Sequence, residues 1–523
     1  MFLGYGIIYI VVQELYNLLV MSRTDKKIVF NHFYGLRHDL KRSYIYSREG
    51  NLLPAEKSKI NVRVNEYWTT KIHPVYAMLL SFASIPILYS KYIDYIACFL
   101  DVTREEAENI INPFLDREEP FHSHYGDVVS QFPRNVIIDA DKTSILPLVY
   151  TPEEFRFDSV DLQQERSFRS PSTVVFMSNN TCTTNCVYCY ADKTSGHLQM
   201  SFDQVRSILK DCYDLRIGEF MITGGDIFVY KHWRELLNCM KGYNMNIGLL
   251  STKTPLQEKD VRLLKDYQVN MQFSLDAVSP SILKEVVGMN PDYLSKVRDT
   301  FALFDKYKLR YKITTVLTKI NDLVSNILDL YEFLQQFQCV AHWEVRIAHK
   351  SLYSKCDFEK LKITKESIQQ IDESIQKIKE HSRFKISWEP VDRKHYFQAK
   401  QGSRSFKGSR CSANYSNMMV LPDGKVTICE QLYWNPNYII GDLTKQSISE
   451  VWNSPRALAL AFPRREDFRD VSPCKKCKIF EECYNFPNRC IVDVLKGYGE
   501  ENADFPDPRC IDAPAFISEL RPE

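Results

Sequence analysis

Residues 173–189 read TVVFMSNNTCTTNCVYC. The run at 174–177 is apolar and rich in β-branched and aromatic side chains, which marks a buried strand. A loop follows it at once and carries Cys182, Cys186 and Cys189. Three thiolates on so short a loop can hold three irons of a four-iron cluster and leave the fourth iron open. A structural zinc site would want a fourth ligand close by, and this loop supplies none.

Working outward, apolar runs at 174–177, 220–223, 247–250, 271–274, 313–317 and 343–347 alternate with amphipathic helical periods at 202–215, 233–240, 259–267, 293–307 and 323–337. Six strands with intervening helices predict an α/β fold whose parallel sheet is open or partly closed as a barrel, with chemistry at the carboxyl ends of the strands. The whole chain has 523 residues, too many for one domain. With 67 basic and 66 acidic side chains, it has no net field to hold nucleic acid or an anionic membrane. A hydrophobic fraction of 44% excludes wholesale disorder. The fifteen cysteines fall in short-spaced sets within a long chain, which favours metal or cluster ligation in a reducing cytoplasm over a disulfide framework.

Four segments follow from the changes in texture. Residues 1–165 form an N-terminal segment and a first unit, 166–349 the α/β core, 350–410 a basic helical bridge, and 411–523 a region where metal rather than a large core holds the chain. Residues 1–20 are apolar but lack a basic flank and a cleavage site, so an upstream start before Met21 or an amphipathic helix is expected rather than a membrane span. Within the first unit, strands at 28–33 and 60–64 precede helices at 73–83, 92–100 and 104–114. Thr103 and Glu106 have the capping-box spacing at the start of the last. This layout suits a winged-helix-like module, and the polar stretch 153–170 reads as a linker.

The CxxxCxxC loop, with Tyr188 before its last cysteine and a six-strand α/β unit behind it, resembles the radical S-adenosylmethionine (SAM) enzymes. The resemblance implies a partial (β/α)6 barrel in which SAM chelates the open iron and is split to methionine and a 5′-deoxyadenosyl radical. It also implies that the turn Ile222-Thr-Gly-Gly-Asp226 brings bare backbone at Gly224 and Gly225, and the Asp226 carboxylate, to the methionyl amine. The family usually has Glu at the position of Asp226. Ser251 and Ser274 stand where the family contacts ribose and carboxylate, Tyr188 is a further cofactor contact, and Asp276 is a candidate proton acceptor. Relatives often carry Arg-Gly where this chain has Val287-Gly288, so one expected SAM contact is missing or comes from elsewhere.

Cys411, Gly424 and Cys429, then Cys474, Cys477, Cys483, Cys490 and Cys510, are similar to the SPASM domain of radical SAM peptide-modifying enzymes. Residues 417–429 read as a hairpin turning at Asp423-Gly424. By motif position the resemblance implies two auxiliary [4Fe-4S] clusters, one on Cys474, Cys477, Cys483 and Cys510, the other on Cys411, Cys429 and Cys490. With the SAM-binding cluster, that makes three. Residues 405–410 hold no cysteine, so unless Cys339 or Cys356 folds back the second auxiliary cluster keeps an open iron. Two structural zinc sites are the competing reading. The spacing of Cys483 and Cys490 is wider than the family's.

The turn at 222–229 closely resembles that of thioether-forming, sactipeptide-type maturases. The implied function is oxidative modification of a ribosomally synthesised precursor peptide, with thioether or carbon–carbon cross-links. Its leader would be captured by the N-terminal unit through strand addition, and a reduced flavodoxin or ferredoxin would donate electrons. The alternatives are an anaerobic sulfatase-maturating, formylglycine-forming enzyme and a catalytically silent leader-binding partner.

Overall fold

The computed structural model describes residues 26–48, 68–143, 145–192, 198–353, 357–388, 411–484 and 489–515. The expectations at 1–20, 60–64, Cys356 and 405–410 lie outside the described residues. Among the described residues no helix is long and apolar enough to cross a membrane. The chain divides into two compact units, 1–164 and 165–523.

In the first unit, β1 (Lys27–Phe30), β2 (Tyr34–His38), β3 (Ser43–Ser47) and β4 (Thr69–Ile72) lead into α1 (Pro74–Ser81). Then come β5 (Ile87–Leu88), α2 (Tyr89–Leu100), α3 (Arg104–Ile111), the hairpin β6 (Phe121–Tyr125) and β7 (Val128–Phe132), and β8 (Ile137–Asp139). They pair as β5–β1–β8, β2–β3–β4 and β6–β7. Two of the three helix starts have a local cause. His73 Nδ1 accepts the Val75 N–H above Pro74 at the head of α1, and Thr103 and Glu106 close a reciprocal capping box on α3. Tyr76, Phe114, Phe121 and Phe132 pack edge to face in the core. The strands after the helices escaped the sequence reading, because His122, His124 and Tyr125 leave β6 with little apolar alternation.

The second unit starts with β9 (Thr173–Met177), α4 (Phe202–Asp214), β10 (Glu219–Thr223), α5 (Trp233–Gly242), β11 (Leu249–Thr252), α6 (Glu258–Asp266) and β12 (Asn270–Ser274). It continues through α7 (Pro280–Val287), α8 (Tyr293–Lys306), β13 (Tyr311–Leu317), α9 (Val324–Gln335) and β14 (Val340–Ile347). All six expected strands are present, in two parallel ladders. One joins β9 to β10, and the other runs β11–β12–β13–β14, with β10 lying against β11. The amphipathic helices bury Phe301, Phe304, Phe333 and Leu334 against Phe273, Ile313 and Trp343 on the outer face of the strands. Alternation then points the other side chains of each strand inward.

The bridge at 350–410 is only partly helical. After α10 (Lys365–Lys379) it supplies β15 (Lys385–Trp388), which extends the ladder in parallel beyond β14. The segment 153–170 is not a simple linker. Arg166 is 1% exposed, lies over the Trp452 ring at 4.0 Å and donates to the Asn414 carbonyl.

The cysteine-rich region contains β16 (Asn417–Val420), β17 (Lys425–Thr427), β18 (Ile439–Asp442), α11 (Ile448–Trp452), α12 (Pro455–Ala461), α13 (Phe480–Tyr484) and α14 (Ile491–Tyr498). The expected hairpin forms, with Gly424 at φ +86° in its turn. The expectation that metal replaces a core here is corrected. β16 pairs in parallel with β9, and Met418, Val420, Val426, Ile448, Val451 and Trp452 are fully buried in the same apolar core as the barrel.

Candidate active site

The cysteine loop leaves the carboxyl end of β9 and is tied down on three sides. Asn185 and Val187 donate their N–H groups to the carbonyls of Val287 and Val286, at 2.9 Å each, so the end of α7 holds the loop in a strand-like grip. Gly288, at φ +71°, would bring a Cβ within 3.4 Å of the Asn185 Cβ. The sequence reading treated Val287-Gly288 only as a missing SAM contact; the structure gives it a supporting role. On the second side, Thr183 and Thr254 share a hydroxyl hydrogen bond of 3.0 Å. On the third, Gly225 donates to the Asn179 carbonyl and Asp226 to the Thr181 carbonyl, at 2.7 and 2.8 Å.

This contact explains the two glycines. Gly224 has φ +146°, and a Cβ there would stand 2.6 Å from the Asn179 oxygen. A Cβ on Gly225 would run onto the Thr181 carbonyl, with the Thr181 nitrogen also 2.6 Å away. The loop that presents Cys182 therefore requires bare backbone at both positions.

Asp226 is likewise occupied. It is 3% exposed, and its Oδ2 accepts from Thr252 Oγ1, Lys253 N, Thr254 N and Thr254 Oγ1, while Oδ1 accepts from Phe228 N. Five donors make this carboxylate a clamp between the glycine turn and the end of β11. The short Asp reaches these donors; the expected ammonium contact would have to share Oδ1.

Asp276 is fully buried at the end of β12. Its Oδ2 accepts from Tyr188 Oη and Lys253 Nζ, both at 2.7 Å, and its Oδ1 from Val316 N at 2.9 Å. Both of its oxygens are thus engaged by donors of the chain itself, at the position where a proton acceptor was expected. Tyr188, expected at the cofactor, commits its hydroxyl to Asp276. Lys253 is the residue the sequence reading missed, although it stands two positions after Ser251. Burial works against its charge, but Asp276, with Cys186 and Cys182 beyond it, outweighs that and raises its pKa above the ordinary lysine value. Tyr293 closes the network by donating to the Lys253 carbonyl at 2.8 Å. Ser251 Oγ accepts from Gln272 Nε2 across the ladder, and the Ser274 carbonyl lies 3.4 Å from Lys253 Nζ.

The seven C-terminal cysteines fall into two sets by their mutual electrostatic effects. Cys483 and Cys510 each feel the charge of Cys474 and Cys477, and burial pushes their thiols up to about 12 and about 11. Cys411 acts on both Cys429 and Cys490, and burial pushes Cys429 up to about 12. Buried thiols raised in this way favour the thiolate only when a metal supplies the compensating charge, so both sets suit iron–sulfur ligation. Among the described residues no three His, Cys, Asp or Glu side chains converge as a single-ion site requires. Asp507 supports the second set: it binds Arg509 at 2.7 Å and accepts the Cys490 N–H at 2.8 Å. Burial, then the charges of Glu430, Cys189 and Cys429, raise the pKa of the Tyr190 hydroxyl, with Arg346 opposing them.

Comparison with known proteins agrees with this geometry. Residues 177–334 match the radical SAM superfamily, and residues 411–478 match the SPASM iron-sulfur cluster-binding domain. The chain is 20% identical over 324 residues to the antilisterial bacteriocin subtilosin biosynthesis protein AlbA of Bacillus subtilis, covering 60% of this chain and 67% of AlbA. It is 22% identical over 255 residues to a probable GTP 3′,8-cyclase of Pyrococcus horikoshii, covering 47% and 80%. Crystal structures of Streptococcus suis SuiB share the fold. The free protein aligns with TM-score 0.59 and 15% identity over 92% of this chain and 99% of that one, and SuiB bound to its precursor peptide SuiA aligns with TM-score 0.58. The chain therefore carries a radical SAM domain at 177–334 and a SPASM iron-sulfur cluster-binding domain at 411–478, is similar to AlbA over 324 residues, and shares its fold with SuiB.

Proposed function

We propose that this chain oxidatively cross-links a ribosomally made precursor peptide, joining a cysteine sulfur to a carbon of another residue in the same peptide. The observation that supports the reading is the pair of cysteine sets beyond the SAM loop, each of buried and mutually interacting thiols. Link formation removes two hydrogens from the peptide, so the enzyme must take up a surplus electron after hydrogen abstraction. When bound, cluster-ligated SAM supplies the hydrogen-abstracting radical and the auxiliary clusters a place for that electron. Cys182, Cys186 and Cys189 would hold the first cluster; Cys411, Cys429 and Cys490 the second; Cys474, Cys477, Cys483 and Cys510 the third. The chain's own contribution is placement. The Asp226 clamp and the Lys253–Asp276–Tyr188 network fix the loop, and the strands shield it from water. AlbA is named for subtilosin biosynthesis, and SuiB is seen with a precursor peptide; the present reading extends a peptide substrate to this chain. Residues 1–165 would bind the leader.

The test is anaerobic reconstitution followed by reaction with a short cysteine-containing peptide encoded beside the gene. About twelve irons per chain are expected, with the peptide losing two hydrogens per link by mass spectrometry. Zinc without sulfide would remove the enzyme reading. Deoxyadenosine released with no change in peptide mass would remove the cross-linking one.

A further inference from the structure

The inner face of the barrel carries a charge pattern that the reactions above do not use. Strand register places Lys312, His342 and Lys385 side by side on β13, β14 and β15, with Glu344 and Ser387 paired one step further along. Arg346 follows Glu344 on the same face of β14, toward the carboxyl end. These positions alternate with Ile313, Trp343 and Ile386, which pack outward under the helices, so the charged set faces inward. Glu344 takes Lys312 and Arg346 at 2.6 Å each. Burial would push its carboxyl up, but the two cations outweigh it and hold it below the usual range. His342 bonds to Ser387 at 2.7 Å, and burial, with Lys312 and Lys385 on either side, keeps it neutral. Three fixed cations therefore face one carboxylate. Lys385 has no carboxylate partner among the described residues, and Arg346 keeps 56% of its side chain exposed. Glu430 also acts on Tyr190, but it lies in the cysteine-rich region rather than on these strands.

The pattern runs toward the reacting end of the strands: Arg346 stands one residue before the carboxyl end of β14, and the cysteine loop leaves the carboxyl end of β9. A surface with an excess of one charge attracts the opposite charge. Arginine with open donors is suited to grip a carboxylate by two parallel hydrogen bonds.

We propose that the inner face of β13–β15 binds a carboxylate-bearing stretch of the substrate, an acidic peptide segment, through Arg346 and Lys385, while Glu344 holds Lys312 and Arg346 in position. This rests on the reading of the chain as a peptide-modifying enzyme. It names the chemistry of the segment that lies in the barrel.

Fluorescent twelve-residue peptides of repeated Gly-Ser-Glu, Gly-Ser-Gln and Gly-Ser-Lys test it, titrated anaerobically against the reconstituted full chain. The glutamate peptide is expected to bind about tenfold tighter than the glutamine peptide, with the preference falling as salt rises. Arg346→Gln with Lys385→Gln should remove the preference. Arg346→Glu with Lys385→Glu should reverse it in favour of the lysine peptide, a gain that misfolding cannot imitate. Equal binding of the glutamate and glutamine peptides, or a preference untouched by either double variant, overturns the proposal and leaves the peptide reading standing. Failure of all three peptides to bind overturns both.

Discussion

Alanine at Gly225 is expected to abolish SAM cleavage as completely as loss of Cys182, Cys186 and Cys189 together. The added methyl would meet the Thr181 carbonyl and nitrogen at distances no methyl adopts, and neither partner is the end of a flexible side chain. The loop must therefore move, and Cys182 is the next residue along it. The same shift breaks the bonds from Gly225 and Asp226 to Asn179 and Thr181. Iron content should fall from about twelve to about eight per chain, because only the cluster on this loop is lost. The auxiliary sets lie on other segments. Gly242→Ala, at the end of α5 with nothing within 4 Å of the added carbon, is the matched control and should keep full iron and full cleavage. Deoxyadenosine assayed by chromatography, with iron and sulfide analysis, decides the case. A Gly225→Ala protein that holds all its iron and cleaves SAM at the normal rate would remove the steric account.

Local signals made much of this molecule readable in advance. The six strands, the cysteine trio, the hairpin turn at Gly424 and the capping box at Thr103 each rest on neighbours within a few residues, where periodicity and turn chemistry operate. The grouping of the C-terminal cysteines followed the resemblance alone. Contacts between distant segments were not readable. Nothing local says that β16 will lie on β9, that Lys385 begins one more parallel strand, or that Arg166 will stack on Trp452. The turn at 224–226 is the instructive case. Its glycines and aspartate were expected at a ligand, and the structure adds contacts to Asn179, Thr181 and the end of β11 that the sequence did not show. A glycine pair shows that something comes close to the backbone but does not say what. Lys253 was missed because a lysine after a strand reads as solvated, and only the buried carboxylate on the neighbouring strand gives it a partner.

That carboxylate carries the second large effect. Asp276→Asn leaves the Lys253 ammonium, whose side chain is 13% exposed, without its counter-charge, and should cost ~3–5 kcal/mol of folding stability. Lys253→Met should cost less, because Tyr188 and the Val316 N–H still donate to Asp276. The pair bridges the ends of β11 and β12, and Tyr188 sits between Cys186 and Cys189. Each single variant should therefore also loosen the loop and slow iron uptake. Replacing both partners with apolar residues, Asp276→Leu with Lys253→Met, removes the two charges together and should recover much of the loss. Urea unfolding of the parent, Asp276→Leu, Lys253→Met and the double variant forms the cycle, with a coupling of ~1–3 kcal/mol expected. If the two single effects simply add, the ion pair is not what fixes the loop. Tyr188→Phe then separates the remaining possibilities. It keeps the ring but removes the donor, so slow iron uptake with nearly unchanged stability would show that the Tyr188 hydroxyl is what carries the order of the buried pair to the cysteines.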